Sequence, residues 1–131
     1  YEELVELLEK MDYVKSTGQN NARISYYHKE GRKVIFLGDL VDRGPKIVKV
    51  LKLVMNMVED GNAYCVIGNH ENKLLKWLKG KKVSLKHGID NTIEELEKET
   101  AEFKEKLTVF IDSLIAHYVM DNVDFVPYLT D

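Results

Sequence analysis

The sequence predicts an α/β fold, and three observations carry that prediction. Val34-Ile35-Phe36-Leu37 and Ala63 to Ile67 are short β-rich apolar runs, an amphipathic helical run lies between them, and a glycine-led polar loop follows each. Runs that are apolar throughout are the pattern of strands buried on both faces. Strand, helix and strand in this order make a βαβ unit, whose strands are parallel and whose crossover is right-handed. With 131 residues, 44% of them hydrophobic and 31% charged, the chain has the size and composition of one folded domain rather than of a disordered segment. A single domain over residues 1–131 is expected.

Leu4, Val5, Leu7, Leu8 and Met11 share one helical face, so the chain opens on a short amphipathic helix. Ser16 to Asn21 then reads as a polar loop. Ile24 to Tyr27 and Val34 to Leu37, separated by His28-Lys29-Glu30-Gly31-Arg32, predict a hairpin turning at Gly31. A helix is expected from Pro45 to about Asp60. Proline suits a first helical position, Ile47, Val48, Leu51, Val54, Met55 and Val58 keep helical spacing, and Gly61 is the stop. Glu71 to Lys79 predicts a helix closed by Gly80, and Thr92 with Glu95 fits a capping box that opens another. A longer helix runs from about Ala101 to Ala116, with Phe103, Leu107, Phe110, Ile111 and Leu114 on one face. Tyr118 to Met120 and Val123 to Val126 suggest a final hairpin about Asp121-Asn122. There is no internal repeat and no linker-like stretch.

The formal charge of −3 provides no general attraction to nucleic acid or to an anionic membrane, so a phosphate-bearing ligand must be gripped locally. One cysteine, Cys65, excludes an internal disulfide and a multi-cysteine zinc cluster and suits a reducing compartment, so a cytoplasmic location is expected. No apolar run approaches the roughly 20 residues that span a bilayer. Cys65 inside a strand pattern, and Trp77 with Leu74, Leu75 and Leu78, read as core; His28, near the hairpin turn, reads as exposed, and His87 and His117 as structural; Glu94 to Lys106 reads as a solvated helical face.

Chemistry gathers in the loops Gly38-Asp39-Leu40-Val41-Asp42-Arg43-Gly44 and Gly68-Asn69-His70-Glu71, each starting where a predicted strand stops. Ligands of an open α/β sheet bind at that carboxyl edge. Asp39 offers a carboxylate able to bridge two cations, and Asn69 a neutral amide oxygen. Two ions about 3.5–4 Å apart generate hydroxide and hold the oxygens of an in-line displacement at phosphorus. His70 suits a general acid at the leaving-group oxygen, Asp42 its hydrogen-bond partner, and Arg43 a planar clamp for phosphate oxygens.

These two motifs at this spacing resemble the calcineurin-like metallophosphoesterases, in the branch that contains the serine/threonine phosphoprotein phosphatases. The resemblance implies a β-sandwich flanked by helices and hydrolysis of phosphate esters or phosphoanhydrides by metal-activated water. It implies two divalent metal ions, manganese foremost, with iron, zinc or nickel as alternatives. By the same resemblance Asp39 bridges the metals, Asn69 binds the second, His70 is the leaving-group acid, Asp42 is its partner and Arg43 the phosphate clamp.

His87-Gly88-Ile89-Asp90-Asn91-Thr92 is similar to bacterial members related to symmetrical dinucleoside tetraphosphate hydrolases and to the phosphatase domain of bacterial polynucleotide kinase-phosphatases. Phosphoproteins, dinucleoside polyphosphates and nucleic-acid end phosphates are thus the candidate substrates. Three family elements are expected outside these residues: an Asp-x-His motif on a first strand ahead of Tyr1, and two histidine loops downstream, whose position His117 does not match. The expectation is a truncated portion of the domain, lacking its first and C-terminal strands. The competing readings are a phosphate- or nucleotide-binding domain without catalysis, and one domain of an RNA-repair enzyme.

Overall fold

The computed structural model describes residues 1–18, 23–38, 40–41, 46–86 and 88–120, with the side chains of 115–120 excepted. In chain order the elements are α1 (Glu2–Lys10), β1 (Tyr13–Thr17), β2 (Ile24–His28), β3 (Val34–Leu37), α2 (Ile47–Glu59), β4 (Ala63–Val66), α3 (Asn69–Leu78), α4 (Ile89–Glu97) and α5 (Ala101–Met120). The α/β class and the βαβ unit are as the sequence predicts. β3 and β4 pair in parallel, with Val34 opposite Ala63 and Leu37 opposite Val66.

The predicted hairpin between β2 and β3 does not form. β2 pairs instead with β1, antiparallel, with Tyr13 opposite His28 and Thr17 opposite Ile24. Ser16 and Thr17, read from sequence as loop, are therefore strand. Gly31 does make the expected turn, at φ 77°, with its N–H donating to the His28 carbonyl at 2.9 Å. That turn carries the chain into a different sheet, because the apolar β3 runs beside β4 and the helices packed there. β1 is hard to see in sequence because only Tyr13 is buried; the ring packs edge-to-face on His28, with centroids 5.1 Å apart.

β3 and β4 also depart from burial on both faces. Phe36, Cys65 and Val66 are buried, α2 and α5 packing against β4, whereas Ile35 and Tyr64 are each 46% exposed on the strands' other face. At the C-terminal end, α5 runs unbroken through Met120, so Tyr118 to Met120 is helix rather than the strand expected. The second arm of that hairpin, residues 123–126, lies outside the described residues.

α2 is the central helix. Leu53, Val54 and Met57 point into one core with Leu8, Tyr26 and Phe36, while Ile47, Leu51 and Met55 point into a second with Val41, Leu74, Leu96, Leu107 and Ile111. Each fully buried aliphatic side chain contributes about 1.5–3 kcal/mol. Leu40, Ile67 and Phe110 pack against both cores.

Helices α2 and α3 end in the same way. Gly61, at φ 78°, donates to Val58, and Asn62 donates back to Met57 at 2.8 Å. Gly80 and Lys81 repeat the pattern on Trp77 and Lys76. This is the Schellman arrangement, whose left-handed residue favours glycine. At the same end of α2, Arg23 grips both oxygens of Asp60, at 3.0 and 2.9 Å, which ties the start of β2 to the helix.

Gly61→Ala is expected to lower stability by about 1 kcal/mol, because open space surrounds the position and only the left-handed backbone is penalised; the midpoint of urea unfolding measures it. The hydrogen bond from Arg23 holds the Asp60 carboxyl below its ordinary value of 3.8. Its stabilising contribution is therefore complete above that value and is lost as pH falls through the lower folded-state value. Asp60→Asn is expected to flatten the acid limb of the stability profile below pH 3.8, with variant and wild type converging at the lowest pH.

Candidate active site

Leu37 and Val66 are the last residues of neighbouring parallel strands, so the chain leaves both strands at one edge. After β3 it turns at Gly38, φ 63°, and after β4 it enters α3 behind Gly68. Asn69 and His70 form the opening of that helix, two residues earlier than the predicted start at Glu71. Asn69 is exposed and His70 partly buried at the strand edge. Asp39, Asp42 and Arg43, with Gly44 and Pro45, lie outside the described residues. Of the predicted set the structure thus places Asn69 and His70, on the edge to which the Gly38 loop also leads.

Two residues anchor the loop after β3 by burial. Val41 is fully buried among α2, α3, α4 and α5, and Leu40 bridges the two cores. A third anchor comes from the other loop. Glu71 is only 1% exposed, and its Oε2 accepts the N–H of Leu40 at 2.9 Å while its Oε1 accepts the N–H of Gly68 at 2.8 Å. The bond to Gly68 is half of a capping box, the half made by the third helical residue. The bond to Leu40 crosses to a segment 31 residues away. Sequence reading gave Glu71 no role, although its place three residues after a helix-opening glycine is a capping signal.

A second carboxylate was also misplaced by sequence. Glu95, read as the partner of Thr92 in a capping box, instead reaches across to α2, accepting the N–H groups of Ile47 at 3.0 Å and Val48 at 3.1 Å. α4 opens at Ile89, behind Gly88 at φ 90°, so Thr92 is a fully buried residue inside the helix. Segment 88–92 thus delivers Glu95 to the start of α2; His87 lies outside the described residues.

That helix opens at Ile47 behind Lys46, not at Pro45 as expected, and Lys46 itself is left-handed at φ 64° and ion-paired with Glu2. Lysine offers no acceptor to a helix N-terminus, and the carboxylate from α4 supplies it. Because Glu95 holds the first two N–H groups of α2 and brings negative charge there, that helix end is not a phosphate cradle.

Asn69 fits a hard divalent cation, as a neutral oxygen donor exposed at the strand edge. Glu71 does not, since both its oxygens are engaged by backbone N–H groups. Among the described residues no three His, Cys, Asp or Glu side chains gather as a metal centre. Cys65 is buried, and burial first, then the nearby Glu71 charge, pushes its thiol up to about 12, so it is the inert hydrophobe expected rather than a nucleophile. His28, expected to be exposed, is half-buried, and its Nδ1 accepts the N–H of Glu30 at 3.1 Å. His117 lies within α5, its side chain outside the description.

Two segments leave the ends of neighbouring parallel strands at one edge, and an asparagine and a histidine open the helix after the second. The sequence matches the calcineurin-like phosphoesterase family over residues 1–129, and the chain belongs to that family. It is similar to bis(5'-nucleosyl)-tetraphosphatase PrpE, of the asymmetrical type, from several bacteria. Identity is 46% to the Halalkalibacterium halodurans protein, over 73% of this chain and 37% of that one. It is 39% to the Bacillus subtilis protein, over 82% and 42%, and 30% to the Bacillus cereus protein, over 92% and 49%. The chain spans less than half the length of these curated relatives.

Glu95→Ala is expected to cost about 1–2 kcal/mol, the loss of a helix cap together with two unsatisfied N–H groups. Amide exchange at Ile47 and Val48 should accelerate with it; unchanged exchange at both would show that the cap contributes nothing.

Proposed function

We propose that the whole protein is a metal-dependent hydrolase of dinucleoside polyphosphates, working at the strand edge where Asn69 and His70 open α3. The observation that carries this reading is the convergence of the two loops on one edge, held by a shared carboxylate, in a chain of the calcineurin-like phosphoesterase family. In this reading Asp39 and Asn69 hold divalent metal, manganese foremost, and Arg43 clamps the phosphate oxygens. The metals, when bound, supply the activated water. His70 donates its proton to the departing phosphate oxygen, and Asp42 steadies the imidazolium before that transfer. A cytoplasmic location belongs to the same proposal. No helix among the described residues is long and apolar enough to cross a membrane.

Residues 87–92 are similar to members related to symmetrical hydrolases and to the phosphatase domain of polynucleotide kinase-phosphatases, whereas the relatives carry the asymmetrical name. Asymmetrical cutting of a tetraphosphate bridge yields a nucleoside monophosphate and a triphosphate, in place of two diphosphates. The full-length protein is expected to hydrolyse diadenosine tetraphosphate in the presence of Mn²⁺ to those unequal products and to stop on chelation. His70→Ala should slow it by about 10²–10⁴-fold, the usual contribution of a general acid. Asp39→Ala should abolish Mn²⁺ activation. Full activity in both variants would exclude this mechanism, and equal products would show symmetrical cleavage instead.

A further inference from the structure

We propose that Glu71 is a positioning residue that sets the distance between the two metal-ligand loops, its one carboxylate holding the N–H beside Asp39 and the N–H beside Asn69. The proposal rests on the metallophosphoesterase reading above. Leu40 directly follows Asp39, and Gly68 directly precedes Asn69. Each ligand residue therefore has a backbone neighbour fixed to the same three-atom group, at 2.9 Å on one side and 2.8 Å on the other.

Capping α3 would not by itself call for this arrangement. A serine, threonine or aspartate in place of Gly68 would cap the helix from the surface, and a glutamine at position 71 would still complete half of a capping box. What neither provides is two acceptors facing two separate segments. A carboxylate only accepts, whereas a glutamine amide carries one oxygen and one NH₂ group, so one of the two N–H groups would face a donor.

The carboxylate is also costly where it stands. Placing one at 1% exposure carries a desolvation penalty, which charge-assisted bonds to N–H groups offset. Because Glu71 is the third residue of α3, and α3 packs on α5 through Leu74 and Leu75, the brace is referred to the core rather than to solvent. Ligands must be held within about 0.5 Å for a two-ion site, and burial of Val41 alone fixes only one of the two loops. Glu71 fixes them relative to each other.

Glu71→Gln separates this role from ordinary packing, because it preserves volume and one of the two bonds. In the full-length protein, its Mn²⁺ dissociation constant, read by the electron paramagnetic resonance of free Mn²⁺, should rise at least tenfold, within the range known for groups that orient metal ligands. Saturating Mn²⁺ should restore most of kcat, with KM for diadenosine tetraphosphate little changed. Leu8→Ala, in the other core, should lower the melting temperature without moving the Mn²⁺ constant.

Amide exchange in the metal-free protein gives a readout independent of activity, and in Glu71→Gln at least one of Leu40 and Gly68 should exchange more than tenfold faster. If that variant does not fold, the wild type still decides: both amide protons should resonate well downfield, as partners of a carboxylate do, and random-coil shifts at both would overturn the proposal. Unchanged Mn²⁺ affinity in a folded Glu71→Gln protein would overturn it as well. A wild-type protein that binds no Mn²⁺ would instead sink the metallophosphoesterase reading, and the exchange rates of the two amides would then decide whether the brace itself exists.

Discussion

The carboxylate of Glu71 accepts one hydrogen bond from the segment after β3 and one from the segment after β4, and the arrangement of the strand edge depends on that pair. Parallel pairing of β3 with β4 brings the two segments to the same side, but strand pairing ends at Leu37 and Val66. Beyond those residues, no ladder bond among the described residues holds the segments in register. Loops that carry chemistry need positioning by the scaffold, and here the scaffold reaches them through a side chain that is itself part of α3.

A second carboxylate completes the frame from the opposite end. Glu95, carried on α4, holds the first two N–H groups of α2, so the segment that leaves β3 is referenced to α3 at Leu40 and to α4 at Ile47 and Val48. Between those points Val41 is fully buried. α2 can act as the reference because it is apolar on nearly every side and contributes to both cores, with Leu40, Ile67 and Phe110 filling the junction. A shift of α4 or α3 would thus be felt at the strand edge, since interiors packed at crystal-like density transmit displacement.

Family membership and local geometry support each other at different levels. The calcineurin-like phosphoesterase match extends over residues 1–129 and establishes descent, while substrate choice lies in particular side chains rather than in the fold. The geometry adds what a family match does not contain: Glu71 and Glu95 serve backbone, Cys65 is inert, and the N-terminus of α2 is already capped. Those assignments are compatible with the roles proposed for Asp39, Asn69, His70, Asp42 and Arg43.

The sequence by itself determined what depends on near neighbours. Helical periodicity marked α2, α3 and α5, the apolar runs marked β3 and β4, and Gly61 and Gly80 marked helix ends, because each signal is written within a turn or two of chain. The paired motifs at the strand ends were legible for the same reason. Tertiary structure alone decided the partner of β2, since polar Ser16 and Thr17 become strand only by pairing with Ile24 and Ser25. It also decided the long-range work of the two glutamates: a carboxylate's acceptor bonds depend on which N–H groups folding brings within about 3 Å, and the bonds from Leu40 to Glu71 and from Ile47 to Glu95 span 31 and 48 residues. Sequence spacing suggested a local cap at Glu95 and carried half of one at Glu71, whereas the fold tied Glu71 to the segment after β3 and Glu95 to the start of α2.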